Sequence, residues 1–303
     1  MTASFAQAPT ETVDIAGTPF AYREVGVAGT PLAYREVGVA GTPLAYREVG
    51  PTADVPLVLL NHITAVLDDW DPAVVDGLAA ERRVIAVDLR GVGASGGTTP
   101  DTIEAMAADT ASFLEALGVE AADLLGFSLG GMVAQTVAQQ RPDLIRRLVL
   151  VGTSPAADEG PGTWAAGLQS AFGKADTEGK HPKHFLFFTP TPRSQSAADA
   201  FLTRLTERTE NHDHPVTQET ITAQLTAATK WERATSPAAL SDVQNPTLIV
   251  NGDDDTLVPT ISSFHLAQLL PNATLSIYPD AGHGALFQHH NLFVQQAQDF
   301  LND

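Results

Sequence analysis

A serine flanked by glycines is the residue of this sequence best placed to do chemistry. Gly126-Phe127-Ser128-Leu129-Gly130 is a G-x-S-x-G pentapeptide. The apolar run 121–125 before it predicts a buried strand, and a helical pattern follows as far as residue 140. A tight turn between a strand and a helix strains the serine backbone and lifts its hydroxyl out of the sheet. The pentapeptide alone also fits a glycine-rich turn that contains serine by chance, so the interpretation depends on partner residues.

Two further loops supply such partners. A serine hydroxyl is a weak nucleophile at neutral pH; it needs a base, and the base needs an acid that orients it. With this kind of turn the chain order is serine, acid, histidine. Asp255 follows a predicted strand in the loop 252–255, and His283 stands between two glycines after the last predicted strand. We therefore predict a triad of Ser128, Asp255 and His283.

From about residue 13 to the C-terminus, the chain resembles the α/β-hydrolase superfamily. The resemblance rests on Gly126–Gly130, Asp88-x-Arg90-Gly91-x-Gly93-x-Ser95, Gly252-x-x-Asp255-x-x-Val258-Pro259 and Gly282-His283. It implies that Ser128 is the nucleophile, Asp255 the acid and His283 the base. It also implies an oxyanion hole made by the backbone N–H groups of Ile63 and Leu129. Family members usually carry His-Gly where this chain has Asn61-His62, a difference that alters the shape of the hole.

Short apolar runs alternate with helical patterns, which is typical of a mostly parallel, twisted sheet flanked by helices in the α/β class. We predict residues 1–153 as the first part of this core, 154–237 as a helical cap insert, and 238–303 as the second part of the core. Aromatic residues are frequent in the cap, where they either form its own core or line a pocket. The candidate pocket residues are His62, Phe127, Trp164, Phe187, Phe188 and Trp231.

Residues 17–50 contain tandem 12-residue repeats, each with a Gly-Thr-Pro turn signal and a strand-like run. They predict an N-terminal antiparallel strand meander extended by the repeat. Leu44–Val49 would be its second strand and Leu32–Val37 its first, with Val13–Ala16 and Phe20–Val25 as an added hairpin. The alternative is that Val13–Ala16 keeps its place while 24 residues of the repeat loop out. Near-identical units specify register weakly, so this edge is also a candidate homodimer contact.

Composition narrows the classes of function. Thirty-six acidic against 17 basic residues give a net charge of −19, which disfavours binding to nucleic acid or anionic membranes. The absence of cysteine excludes disulfides and thiolate chemistry. With no visible signal peptide or spanning segment, we expect a cytoplasmic protein. We expect no metal or organic cofactor, and we interpret the His181/His184 and His212/His214 pairs as solvated cap residues.

Together these patterns predict a serine hydrolase that cleaves a small uncharged ester or lactone through an acyl-enzyme. Two alternatives stay open. The Gly-Phe-Ser-Leu-Gly-Gly turn also resembles that of cofactor-free haloperoxidases, in which peroxide replaces water as the acyl acceptor (perhydrolysis). Some proteins with the same fold are ligand receptors that bind without turnover.

Overall fold

A computed structural model describes residues 4–14, 42–158, 164–235 and 240–303 of the chain. Within these ranges eight strands form one sheet in the order β1-β2-β4-β3-β5-β6-β7-β8. They are β1 (Glu11–Asp14), β2 (Pro43–Val49), β3 (Leu57–Leu60), β4 (Val84–Val87), β5 (Ala122–Phe127), β6 (Ile145–Val151), β7 (Thr247–Gly252) and β8 (Ala273–Tyr278). β2 pairs antiparallel with β1 and β4, and the other neighbours pair parallel. The prediction of a mostly parallel sheet flanked by helices is confirmed.

The described ranges contain ten α-helices. They are α1 (Pro72–Ala79), α2 (Ile103–Ala116), α3 (Leu129–Gln140), α4 (Trp164–Glu178), α5 (Lys183–Leu186), α6 (Pro192–Leu205), α7 (Gln218–Glu232), α8 (Thr260–Leu269), α9 (Ala285–Gln288) and α10 (His290–Asn302). None of the helices in these ranges has the length and apolar character needed to cross a bilayer.

Helices cover both faces of the sheet, which explains the apolar strands. Side chains of a strand point alternately to opposite faces. In β3, Leu57 and Leu59 pack in one core with α1 and α10, whereas Val58 and Leu60 pack in another with α2 and α3. All four are fully buried. A strand buried on both faces carries a continuous apolar run rather than an alternating one, and this run marks β3 in the sequence.

Side chains cap the starts of α1 and α2. Asp71 caps α1, where its side chain accepts a 3.0 Å hydrogen bond from the N–H of Ala73. The cap of α2 is Thr102 rather than the adjacent Asp101, although aspartate is also a favoured cap residue. Thr102 has the extended backbone of a cap, and its hydroxyl accepts from the N–H of Ala105 at 3.3 Å. Asp101 instead pairs with Lys230 of α7 at 2.7 Å.

The N-terminal edge differs from the predicted arrangement. β1 lies directly beside β2, with Glu11 opposite Tyr46 and Asp14 opposite Pro43. The sequence predicts the middle repeat unit, 32–37, in this place, and that prediction is wrong because β1 occupies it. The last unit does form β2, as predicted. The added hairpin of Val13–Ala16 with Phe20–Val25 is also wrong in its first strand, because Val13 and Asp14 belong to β1 and pair directly with β2. The first two units and the dimer contact assigned to them lie outside the described residues.

The helices α4 to α7, here called the insert, stand between β6 and β7 in the chain. Polar contacts tie them to loops that follow strands of the sheet. Arg204 of α6 forms a bidentate pair with Asp71 at 2.7 and 2.6 Å, and Thr220 of α7 donates to the carbonyl of Gly91 at 2.7 Å. The insert is thereby held over the ends of the strands where the candidate site lies. The cap boundaries stay a prediction.

Candidate active site

Ser128 occupies a strained turn between β5 and α3. Its φ is +55°, a conformation that residues with a side chain rarely adopt. Glycine is required on both sides because the chain packs closely there. A Cβ at position 126 would lie 2.3 Å from the carbonyl oxygen of Gly130, and one at position 130 would lie 2.1 Å from that of Leu60. The side chain of Ser128 is thus fixed by the backbone at the end of β5 and the start of α3.

Asp255 and His283 come together from the loops after β7 and β8. His283 Nδ1 donates to Asp255 Oδ2 at 2.7 Å, and both side chains are buried. The other oxygen of Asp255 accepts from the N–H groups of Leu257 and Val258 at 2.9 and 3.0 Å. The neighbouring Asp253 and Asp254 are exposed. Of the three adjacent aspartates, Asp255 is the one bonded to His283, as its position in the motif predicts.

A cavity of about 280 Å³ brings the predicted residues together. Ser128, His283, Ile63 and Leu129 all line it. The rest of its wall is largely apolar and comes from the core and from the insert: Met132, Leu168, Phe172, Leu186, Phe187, Ala228, Leu257 and Val258. A serine, a carboxylate-bound histidine and an apolar recess therefore share one site.

The turn after β3 leaves one backbone donor unused. The N–H groups around it donate hydrogen bonds of 2.7 to 3.3 Å: His62 to Asn61, Thr64 to Gln224, Ala65 to His62, and Val66 to Asp69. Within the described part of the chain, the N–H of Ile63 donates none. The N–H of Leu129, the first residue of α3, is likewise free of a partner there, as the first helical N–H groups are. Backbone donors inside a protein are almost always paired, so two unpaired N–H groups in residues that line a cavity are unusual. They are available to donate hydrogen bonds to a ligand in that cavity.

His62 stabilises this turn as a neutral imidazole. Burial, reinforced by the nearby charge of Lys183, lowers the pKa of His62 to about 3. Its Nδ1 donates to the carbonyl of Ile63 at 2.7 Å, and its ring packs edge-on against Phe127 and Phe187. Nε2 is buried and has no partner among the described residues. His62 is thus both a wall of the cavity and a support for the peptide that follows Ile63.

Lys183 of the insert reaches the same turn through Asp69. The two side chains form an ion pair, and the second oxygen of Asp69 accepts from the N–H of Val66 at 2.9 Å. Burial would raise the pKa of Asp69, but the charge of Lys183 and the hydrogen bonds from Lys183 and the Val66 N–H outweigh it and keep that pKa below its usual value. No sequence pattern marks Lys183 or Gln224 as functional. Neither residue lies in a motif, and the polar pattern around each is that of an ordinary solvated helix face.

The predicted aromatic pocket is only partly correct. Phe187 lines the cavity, but Phe127, Phe188 and Trp231 are not among its lining residues. Phe127 points to the core behind the site, with its ring 5.0 Å from that of His283 and 5.4 Å from that of Phe287. Phe188 packs on Phe201, and the Trp231 indole donates to the carbonyl of Ser154 at 3.2 Å. The side chain of Trp164 lies outside the described residues.

Acidic groups stand at another part of the cavity wall. Asp158 and Glu232 both line it. Asp158 Oδ1 is bonded to His265 Nδ1 at 2.6 Å, while its Oδ2 is buried without a partner in the described ranges. Of the histidine pairs, His181, His212 and His214 are exposed, as predicted, and His212 binds Asp68. The interpretation of His184 as solvated is wrong, because its side chain is buried and binds Asp199. The described residues contain no group of three side chains placed to hold a metal ion.

Comparison with known proteins agrees with this architecture. A family model described as the alpha/beta hydrolase fold matches residues 55–290. An alpha/beta hydrolase fold protein from Chitinophaga pinensis superposes with a TM-score of 0.87 and 36% identity, covering 99% of this chain and 100% of that one.

Two curated relatives are more distant. A 2-hydroxymuconate semialdehyde hydrolase of Pseudomonas putida is 29% identical over 225 residues, which cover 73% of this chain and 77% of that protein. A Mycobacterium tuberculosis protein with the provisional name non-heme bromoperoxidase BpoC is 28% identical over 233 residues, covering 72% and 83%. The chain therefore belongs to the alpha/beta hydrolase fold family and is a hydrolase.

Proposed function

We propose that the protein is a serine hydrolase that cleaves a small, uncharged ester or lactone through an acyl-enzyme. Ser128 is the nucleophile, His283 the general base and Asp255 the acid that orients it. The observation that carries the proposal is the 2.7 Å hydrogen bond from His283 Nδ1 to Asp255 Oδ2, in a cavity that Ser128 also lines. That bond leaves Nε2 of His283 as the acceptor for the serine proton.

The reaction then has two halves. His283 takes the proton of Ser128 as its oxygen attacks the carbonyl carbon, and the oxyanion accepts hydrogen bonds from the N–H groups of Ile63 and Leu129. Each such donor contributes roughly 3 kcal/mol to transition-state stabilisation. The partial positive charge at the start of α3 adds to this. His283 then protonates the leaving alcohol, and a water molecule activated by His283 releases the acid.

The cavity walls support the substrate class. About 280 Å³ accommodates a small acyl group and a short alcohol, and the apolar lining favours uncharged groups. Asp158 and Glu232 in the wall, together with the net charge of −19, disfavour an anionic substrate, because the lining Lys183 is already paired with Asp69. We propose that the insert acts as a cap, because Leu168, Phe187 and Ala228 of its segment form part of the recess.

Labelling by a fluorophosphonate and turnover of a short-chain nitrophenyl ester test this proposal. The wild-type protein is expected to label and to turn over the ester. Ser128→Ala is expected to lose labelling and about 10⁴- to 10⁶-fold in kcat while its melting transition is retained. More than a tenth of wild-type turnover in Ser128→Ala would show that another nucleophile acts. Binding of esters without turnover by the wild-type protein would favour a receptor instead.

Perhydrolysis is the second candidate, supported by the relatives that carry the provisional name non-heme bromoperoxidase. In that reaction hydrogen peroxide, rather than water, attacks the acyl-enzyme and yields a peracid. Measuring peracid and acid formation from one acetate ester at several peroxide concentrations separates the two. Peracid as the main product at millimolar peroxide would favour the perhydrolase, and acid as the main product the hydrolase.

A further inference from the structure

We propose that Gln224 of the insert is a positioning residue that aligns the oxyanion hole. The inference rests on the proposed function, since it assigns a role to a residue that supports the N–H of Ile63. Gln224 Oε1 accepts a hydrogen bond from the N–H of Thr64 at 2.7 Å, across 160 residues of sequence. The Gln224 side chain is 1% exposed, so water does not compete for that bond.

The bond acts on a strained backbone. Thr64 has a φ of +65°, which is costly for a β-branched residue, by about 1–3 kcal/mol. Such a conformation persists only where its surroundings hold it. The peptide between Ile63 and Thr64 is held at both ends, its carbonyl by His62 Nδ1 at 2.7 Å and its N–H by Gln224. Without Gln224, that N–H is left unpaired and the strain is released by rotation of the peptide.

Rotation of this peptide displaces the predicted oxyanion donor. The N–H of Ile63 belongs to the preceding peptide, whose carbonyl accepts from Ala65 in the same turn at 3.3 Å. A donor of this kind acts only if it lies about 2.7–3.1 Å from the position that the oxyanion will take. A small change in the turn therefore reduces stabilisation of the transition state more than it reduces substrate binding, because substrate binding depends on the apolar walls.

The insert holds the turn from a second side as well. Lys183 of α5 pairs with Asp69, which in turn accepts from the N–H of Val66. Gln224 of α7 and Lys183 of α5 thus anchor the two ends of one turn to the insert. In this arrangement the insert does more than cover the substrate, because the oxyanion donor of the core takes its alignment from insert side chains.

Thr220 offers a matched control on the same helix. It lies one turn before Gln224, is also buried, and also bonds a core loop, donating to the carbonyl of Gly91 at 2.7 Å. It has no bond to the turn after β3 and is not among the residues that line the cavity. Thr220→Val therefore weakens the attachment of α7 without touching the oxyanion donor.

The test compares Gln224→Met with Thr220→Val by kcat, KM and the affinity for phenylboronic acid, which forms a tetrahedral adduct on an active serine. For Gln224→Met we expect kcat to fall roughly 10- to 100-fold, less than the loss of a whole donor, and boronate affinity to fall in parallel. KM should stay within about threefold. Thr220→Val should keep both kcat and boronate affinity within about threefold, whatever its change in melting temperature.

Equal losses of kcat in the two variants, or wild-type kcat and boronate affinity in Gln224→Met, would overturn the positioning role. If Gln224→Met does not fold, Gln224→Asn, which withdraws the amide by one methylene, is measured in its place with the same expectation. Ser128→Ala, measured alongside, distinguishes failure of the proposed function from failure of the role proposed for Gln224. If it keeps turnover, the proposed function fails. If it is inactive while Gln224→Met is fully active, only the role of Gln224 fails.

Discussion

Asp255→Asn replaces one oxygen by an NH2 group in a site where both oxygens are committed. The N–H groups of Leu257 and Val258 both point at Oδ1, so the amide oxygen of the new asparagine must stay there. Its NH2 group then faces Nδ1 of His283, 2.7 Å away in the wild type. Two donors cannot share that contact, so the imidazole proton moves to Nε2. His283 then has no lone pair facing Ser128 and cannot act as a base.

The expected loss is about 10⁴-fold in kcat, because the wrong tautomer must be exchanged before each turnover. That factor corresponds to about 5.4 kcal/mol of transition-state stabilisation. The assay is kcat for a short-chain nitrophenyl ester at pH 7, with the melting transition as a check of folding. KM should change little, since Asp255 is not among the residues that line the cavity.

Asp254→Asn is the matched control, since it makes the same chemical change in the adjacent, exposed residue. We expect its kcat to stay within about threefold of the wild type. The reasoning is refuted if Asp255→Asn keeps more than a tenth of wild-type kcat, or if Asp254→Asn is the more damaging change.

Three further predictions concern stability. Burial lowers the pKa of His62 to about 3, so between pH 6.5 and that value the unfolded chain binds a proton that the folded chain does not. The unfolding free energy should therefore fall by up to about 1.4 kcal/mol per pH unit as the pH drops below 6.5. In His62→Phe, the unfolding free energy measured by urea melts should depend less steeply on pH than in the wild type. Gly130→Ala should unfold the protein or lower its melting temperature sharply, because the new Cβ would lie 2.1 Å from the Leu60 carbonyl oxygen. Its control is Gly173→Ala in α4, where a Cβ has open space, and this change should raise the unfolding free energy by up to about 1 kcal/mol. Deleting residues 17–40 leaves 15, 16, 41 and 42 between the paired Asp14 and Pro43, a common hairpin length, so the melting transition and esterase activity should both be retained. A folded but inactive deletion variant would show that the repeats serve catalysis.

The parts of the site that were predictable from the sequence are those set by local backbone geometry. Close packing of the chain around Ser128 and His283 requires glycines at fixed positions. These glycines are visible in the sequence and therefore predict the tight turns. Asp255 is distinguished from its neighbours by its distance along the loop from the end of β7. The same holds for the strands, because a strand buried on both faces has an unbroken apolar run.

The residues that the sequence does not reveal act across long separations. Gln224 contacts Thr64, and Lys183 contacts Asp69, through single polar bonds between the insert and the core. Neither bond imposes a pattern on the residues around it. Trp231 is predicted in the pocket but packs in the core, because the pattern of a helix does not tell which of the two an aromatic residue faces. The sequence predicts the middle repeat unit beside β2 because each unit has a strand-like run and a turn signal, whereas the segment that pairs with β2, Glu11–Asp14, is short and lies outside the repeats.

The acidic wall formed by Asp158 and Glu232 has a consequence for how a catalytic cycle ends. Hydrolysis of a neutral ester yields a carboxylic acid, which ionises at neutral pH in a cavity whose wall holds two carboxylates and whose lining Lys183 is already paired with Asp69. The anion is repelled by the carboxylates of the cavity in which it forms and by a chain of net charge −19, whereas the alcohol is not. Product inhibition by the acid should accordingly be weak at low ionic strength and grow as salt screens the repulsion.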